Sequence, residues 1–232
     1  MNSVSALYKD FLQGLGFGLC HQIPERSFIF GGIQLPVCAR CSGLYIGIIV
    51  TLILLFVLYR GAQRSGLPGK GFYVGAVVAT LAMGIDGFGS YLGLYTTNNF
   101  MRVLTGIMFG SAMAPVIYAL LIESLAPDAS PRRILDGGRE LAVWVLAIPL
   151  GLVIAYGLFP LLGTLAGGLM ADMIITTFWL ISLVLVGLHP RFSKRIRTVG
   201  DLLEPLAWAL PLACGIIVLC AGLQIWATNL LL

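Results

Sequence analysis

Charged residues are scarce in this sequence, and their scarcity excludes most soluble folds. Lys, Arg, Asp and Glu make up 10% of the 232 residues, whereas soluble domains carry about 25%. A soluble fold needs a charged surface, which 14 basic and 10 acidic residues cannot supply. Apolar residues make up 59% of the chain, and lipid can contact apolar side chains directly. The composition therefore predicts an integral membrane protein whose first partner is the lipid bilayer.

The motifs of several enzyme and binding classes are also missing. The sequence has no HExxH, GxSxG or Walker-type phosphate loop, which disfavours metalloprotease, serine hydrolase and ATP-coupled functions. It has no basic stripe with interleaved aromatic residues, and its net charge of +4 is small. We therefore expect no nucleic-acid partner.

Six apolar stretches are long enough, at about 20 residues each, to cross a bilayer as helices. They lie near residues 40–59, 71–93, 101–124, 141–163, 165–188 and 206–229. The 29 glycines suit such a bundle, because small residues let transmembrane helices approach closely. The pairs Gly43/Gly47 and Gly106/Gly110 have the spacing of helix contacts. The sequence predicts an all-α, polytopic transmembrane helical bundle of about six spans.

The chain divides into three parts of different character. Residues 1–38 hold an apolar stretch that is short and interrupted by glycines, which predicts an interfacial or re-entrant segment with a Cys-His motif. Residues 39–124 form a three-span core with the Cys-x-x-Cys and Asp/Arg motifs. Residues 125–232 add three further spans.

Basic residues are concentrated in the linkers after spans one, three and five. These linkers hold ten of the 14 basic residues: Arg60, Arg64, Lys70, Arg132, Arg133, Arg139, Arg191, Lys194, Arg195 and Arg197. The positive-inside rule puts such linkers in the cytoplasm. Lys9, Arg26 and Arg40 near the N-terminus oppose this orientation. We predict a multi-pass protein of the cell membrane with non-cytoplasmic termini.

Three of the five cysteines and one of the two histidines fall within 22 positions. Cys20 and His21 are adjacent, and Cys38 and Cys41 form a Cys-x-x-Cys pair at the start of span one. The turn between Cys38 and Cys41 can direct both sulfurs to one ion, and Cys20 and His21 complete a tetrahedral set typical of zinc. Because neighbouring residues point in different directions, either Cys20 or His21 can lie outside the ligand shell.

The same cysteines fit two other roles. A helix N-terminus and Arg40 would lower a thiol pKa in the Cys-x-x-Cys pair. Cys38 and Cys41 could then act as a thiol-disulfide oxidoreductase, with Cys20 as a resolving thiol and a quinone or a protein as electron acceptor. A structural or assembly role is the third alternative. Cys214 and Cys220, in span six, are predicted to be packing residues.

Polar residues inside spans are costly, and they are candidates for function. Asp86 lies late in span two, Asn99 and Arg102 lie at the start of span three, and Asp172 lies about two turns into span five. The topology places all four on the same side of the membrane as the cysteines. An Asp86–Arg102 pair that only joins two spans is the alternative. Asp172 has no obvious partner and indicates an ion, proton or metal path.

Several short motifs occur together in the first half of the chain. They are Cys20-His21-Gln22, Arg26-Ser27-Phe28, Pro36-Val37-Cys38-Ala39-Arg40-Cys41-Ser42-Gly43, and Asp86-Gly87 with Asn99, Arg102 and Thr105-Gly106. Over residues 18–110 the chain thereby resembles the DUF2085 family of prokaryotic membrane proteins, with Ser42 where many members are expected to have Thr. The family's function is unknown, so the resemblance implies a shared site and no particular activity.

These observations favour a membrane protein with an N-terminal zinc site formed by Cys20, His21, Cys38 and Cys41. Such a protein could be a transporter or a metal-handling factor for a metal ion or a small solute. The thiol oxidoreductase and the structural protein remain alternatives. No motif in spans four to six distinguishes among them.

Overall fold

The structure, a computed structural model, describes residues 3–198 and 200–231 of the chain. Its α-helices are α1 (Ser3–Phe17), α2 (Ala39–Leu58), α3 (Lys70–Tyr91), α4 (Asn99–Leu125), α5 (Gly138–Val145), α6 (Ala147–Val153), α7 (Phe159–Leu162), α8 (Leu165–Gly187) and α9 (Leu203–Leu231). A π-helical segment, Ile154–Leu158, joins α6 to α7, and short 3-10 turns cover Pro24–Arg26 and Gly200–Leu202. The strands are β1 (Ile29–Phe30), β2 (Ile33–Gln34), β3 (Arg64–Gly66) and β4 (Ser130–Arg133).

Six helical stretches in the described ranges are long and apolar enough to cross a membrane, which confirms the predicted bundle. They are Ala39–Leu58, Lys70–Ser90, Asn99–Leu125, Gly138–Leu162, Leu165–Gly187 and Gly200–Leu230. Helix α1 has only 15 residues. At 1.5 Å per residue it measures about 22 Å, which is shorter than the bilayer's hydrocarbon core of about 30 Å.

Helices α2 and α4 form the centre of the bundle. The most apolar stretches of α2 and α4 are 56% and 61% buried, against 17% for α3 and 11% for α9. Glycines let the two central backbones touch: a Cβ on Gly106 would lie 2.1 Å from the Arg40 carbonyl oxygen, and one on Gly43 would lie 2.3 Å from that of Val103. Gly47 and Gly110 make equally close approaches. The predicted role of these glycines in helix packing is confirmed.

The basic linkers meet at one end of the bundle. Strand β3 follows α2 and pairs in parallel with β4, which follows α4. The Lys194 amide, in the linker after α8, donates to the Ser124 carbonyl at the end of α4. Two exposed ion pairs lie at this end, Lys194–Glu123 and Arg191–Glu204.

The opposite end holds α1 and a β-hairpin. Strands β1 and β2 are antiparallel, and Gly31 and Gly32 form their turn at φ +57° and +75°, a conformation that glycine adopts without strain. Helix α1 packs on the start of α8, where Leu12 is fully buried and the Tyr8 hydroxyl donates to the Thr164 carbonyl. The helices α2 and α4 begin at this end and α3 ends there, so all motifs of the first half come together.

Candidate metal and thiol site

Three cysteines form a cluster at the start of α2. The sulfurs of Cys20, Cys38 and Cys41 all lie within 4.8 Å of one another, and none is in a disulfide. Cys20 is buried, and Cys38 and Cys41 are half-buried. Three thiolates around one tetrahedral zinc ion, with Zn–S bonds of about 2.3 Å, lie about 3.8 Å apart. The cluster therefore has donor atoms and spacing that fit a soft or borderline metal ion.

The local structure of α2 places two of these sulfurs. Cys38 is extended (φ −65°, ψ 165°) and immediately precedes the helix, and its carbonyl accepts the first helical hydrogen bond, from the Ser42 amide. Cys41 lies three positions later, one helical turn on, and thus on the same side. The Cys38 amide donates to the Cys20 sulfur over 3.2 Å. The start of the helix therefore positions all three cysteines.

The segment between Cys20 and Cys38 brings Cys38 back beside Cys20. The β-hairpin reverses the direction of the chain, and Gln22 makes hydrogen bonds to residues before and after the hairpin. The Gln22 side-chain amide donates to the carbonyls of Gln13 (2.9 Å) and Pro36 (2.8 Å), and the Gln22 carbonyl accepts from the Gln34 side chain. Gln22 itself adopts φ +51°, which is uncommon outside glycine. Gln22 is thus a positioning residue whose role the sequence motif did not reveal.

A cavity of about 360 Å³ lies beside the cysteine cluster. Its wall includes the three cysteines, His21, and the arginines Arg26, Arg40 and Arg102. His21 is exposed and stands outside the group of mutually close ligand atoms, which consists of cysteines alone. Cys20 and His21 both line the cavity, but only Cys20 belongs to the cluster. The structure therefore brings together three of the four predicted ligands and leaves His21 on the cavity wall.

Asp86 is buried at the end of α3, and its ion-pair partner is Arg40 rather than Arg102. The Arg40 Nε lies 2.6 Å from Asp86 Oδ2, and Nη2 donates to the Asp86 carbonyl over 2.9 Å. The Thr105 hydroxyl, on α4, donates to the same carboxylate over 3.2 Å. The alternative of an Asp86–Arg102 pair is therefore corrected. Arg40, which we counted as a loop charge, lies inside the Cys-x-x-Cys pair and connects it to α3.

Arg102 and Asp172 have different surroundings. Arg102 is buried, and its Nη1 donates to the side chain of Asn99, one helical turn earlier, over 3.1 Å. Asp172 is exposed on α8 and is not among the residues of the cavity wall. The structure thus joins Asn99 and Arg102 to the cysteine site and leaves Asp172 apart from it. Of the two carboxylates of the predicted path, Asp86 pairs with the wall residue Arg40, and Asp172 does not line the cavity.

The three thiols act on one another. Hydrogen bonds from Cys20, and then from Cys41, lower the pKa of the Cys38 thiol to about 2. The hydrogen bond with Cys38 raises the pKa of the Cys20 thiol, and burial of Cys20 raises it further. The contacts within the cluster therefore favour the thiolate form at Cys38. A metal ion bound by all three sulfurs would displace the remaining thiol protons, as metal binding to cysteine generally does.

The other two cysteines lie apart from this cluster. Cys214 and Cys220 are on α9, where Cys214 is exposed and Cys220 half-buried. Cys214 is therefore not the packing residue that the sequence predicted. Both serve as controls for the three clustered cysteines.

Fold and site together define a polytopic membrane protein with a three-cysteine cluster and an arginine-lined cavity at one end of its bundle. The family described as "Predicted membrane protein (DUF2085)" matches residues 20–116. An uncharacterized protein of Methanothermobacter thermautotrophicus is 32% identical over 99 residues, which cover 41% of this chain and 81% of the relative. The chain belongs to the DUF2085 family.

A second relative is an uncharacterized protein of Methanocaldococcus jannaschii. It is 31% identical over 107 residues, which cover 46% of this chain and 66% of the relative, or just under two thirds of its length. No solved structure matches the chain. The matched family segment contains the three clustered cysteines, the three arginines of the cavity wall and Asp86, and it ends inside α4.

Proposed function

We propose that this protein is a metal-handling membrane protein that binds one zinc ion through Cys20, Cys38 and Cys41. The observation that carries the proposal is the mutual proximity of the three sulfurs, within 4.8 Å, at the start of a transmembrane helix. Three thiolates are typical ligands of zinc, and they leave one position of a tetrahedral shell open. The open position would face the cavity, from which water or a solute could enter.

The surroundings favour a retained ion over a cation in transit. Arg26, Arg40 and Arg102 line the cavity, and positive charge at an entrance disfavours the passage of a cation. Asp86, which could attract cations, is already paired with Arg40. A transport function for metal ions therefore has less support than a bound metal that serves binding or chemistry in the cavity.

The zinc content of detergent-purified protein tests the proposal. We expect stoichiometric zinc in the wild type and its loss in Cys20→Ser, Cys38→Ser and Cys41→Ser. The matched controls are Cys214→Ser and Cys220→Ser, which should keep the metal because both residues lie on α9, apart from the cluster. Cobalt substitution should add thiolate charge-transfer bands and the visible bands of a tetrahedral ion.

Maleimide labelling of the wild type tests the proposal even if a cysteine variant fails to fold. Bound zinc should protect three thiols from a maleimide reagent, and a strong chelator should expose them. Metal-free protein with a reversible Cys38–Cys41 disulfide would refute the metal proposal.

The second candidate is a thiol-disulfide oxidoreductase. It is supported by the low pKa of Cys38, about 2, because thiolates are the nucleophiles of disulfide exchange. Oxidation of the Cys38 thiolate and the Cys41 thiol to a disulfide would release two electrons and one proton. A quinone in the bilayer could accept both electrons, together with that proton and a second proton from water. The thiol state of the purified, metal-free protein separates this candidate from the first.

We also propose that the cysteine site faces the non-cytoplasmic side. Ten of the 14 basic residues lie in the linkers at the opposite end of the bundle. Of the residues that opposed this orientation in the sequence, Arg26 and Arg40 line the cavity, and Arg40 is neutralised by Asp86. They therefore count less as free loop charges, and the positive-inside rule favours cytoplasmic linkers.

A further inference from the structure

The cavity beside the cysteines is strongly asymmetric in charge. Three arginines line it, and none of its described wall residues is Asp or Glu. Only four basic residues of the chain lie outside the three basic linkers: Lys9, Arg26, Arg40 and Arg102. Three of these four therefore face one small cavity.

The carboxylate of Asp86 does not balance this charge. Asp86 forms its ion pair with Arg40 and also interacts electrostatically with Arg102. Among the described residues, neither Arg26 nor Arg102 has a carboxylate within salt-bridge distance. Three arginines against one carboxylate leave an excess of positively charged side chains around the cavity.

Arg102 has an unused hydrogen-bond donor. Its residue is 7% exposed, its Nη1 is bound to Asn99, and its Nε is buried without a partner among the described residues. Burying a guanidinium group with an unpaired N–H is costly, and such groups in native proteins are satisfied by a partner or a ligand. Asp86 Oδ1 is likewise buried without a hydrogen-bond partner among the described residues. Because Arg102 lies on the cavity wall, its guanidinium group is available to an acceptor bound in the cavity.

We propose that this cavity binds a small oxyanion, or the anionic group of a larger molecule, between Arg26 and Arg102. A guanidinium group offers a planar fork of donors that matches phosphate, sulfate and carboxylate oxygens. Helices α2 and α4 both begin at this end, so the positive ends of two helix dipoles add to the attraction. A cavity of about 360 Å³ is large enough for such an anion. The anion site goes beyond the metal proposal and does not require the metal.

Direct binding measurements on metal-free protein in non-ionic detergent test the anion site. The first probe is inorganic phosphate, measured by calorimetry in a buffer without other oxyanions. The second is short-chain phosphatidylglycerol, compared with short-chain phosphatidylcholine, which has no net charge. We expect saturable binding of at least one anionic probe by the wild type.

The variants separate a built site from general attraction by charge. Arg26→Gln and Arg102→Lys should weaken binding about tenfold or more, because each removes donors of a charge-assisted pair. Arg102→Lys keeps the charge and loses the guanidinium group. Arg26 ends a short 3-10 turn outside the α-helices, so both variants should fold. The matched control is Arg132→Gln, an exposed arginine at the other end of the bundle, which should leave binding unchanged.

The outcomes decide the proposal and the source of the anion. Binding of phosphate that depends on Arg26 or Arg102 supports a free-anion ligand. Binding of phosphatidylglycerol alone, with the same dependence, supports a lipid headgroup. No saturable binding of either probe, or equal affinity in the wild type and both cavity variants, overturns the anion site. Since metal-free protein is used, a failure of the zinc proposal leaves this test unaffected.

Discussion

Asp86→Asn removes the negative charge of the ion pair that joins α2 to α3 beside the cysteine pair. The pair is largely buried, with side-chain exposures of 6% for Asp86 and 18% for Arg40. Breaking a buried pair by removing one partner costs about 3–5 kcal/mol. Here Arg40 keeps its hydrogen bond to the Asp86 carbonyl, which the asparagine retains. We therefore expect a loss of about 2–3 kcal/mol in the free energy of unfolding.

Reversible unfolding in mixed micelles, with helicity as the signal, measures this loss. The matched control is Glu204→Gln, which removes a carboxylate from an exposed pair whose side chains are 60% and 53% exposed for Arg191 and Glu204. Such pairs contribute about 0–1 kcal/mol. The double variant Arg40→Gln/Asp86→Asn should cost less than the sum of the two single changes, because each single change leaves a lone buried charge and the double variant leaves none. If Asp86→Asn costs no more than Glu204→Gln, the buried pair does not stabilise the bundle.

Two further predictions concern the packing of the bundle and its orientation. Gly106→Ala should destabilise the protein by about 1–3 kcal/mol, because the new Cβ would lie 2.1 Å from the Arg40 carbonyl oxygen and would push α2 from α4. Gly215→Ala, where no atom lies within 4 Å of a new Cβ, should be neutral or stabilising in the same unfolding assay. For orientation, a membrane-impermeant maleimide should label Glu25→Cys on intact cells and Arg132→Cys only after permeabilisation, in a background in which all five native cysteines are replaced by serine. The reverse pattern would refute the proposed orientation.

The polar residues show which contacts a sequence pattern can predict and which it cannot. The spacing of Cys38 and Cys41 predicted two sulfurs on one side of a helix start, and the structure confirms their proximity. Adjacency could not decide between Cys20 and His21, because the backbone direction at that point depends on the β-hairpin and on Gln22. Asp86 was predicted to be a buried polar residue, but its partner depended on how α2 and α3 cross.

Arg40 was the residue that the sequence described least well. Its position between Cys38 and Cys41 suggested a loop charge or a modifier of thiol pKa. Its contact with Asp86 joins residues 46 positions apart, and no local pattern records such a pair. The depth of Asp172 in a span suggested that it belongs to a site. In the structure Asp172 is exposed on α8 and does not line the cavity.

The sequence by itself determined the membrane class, the six spans and the end of the bundle at which the polar motifs gather. These follow from hydropathy, helix length and the alternation of span directions, which are local or additive properties of the chain. The tertiary structure alone decided that three cysteines form the cluster, that Arg40 pairs with Asp86, and that three arginines line one cavity. The physical reason is that such contacts depend on which face of each helix meets its neighbour, and glycine contacts between α2 and α4 fix that choice.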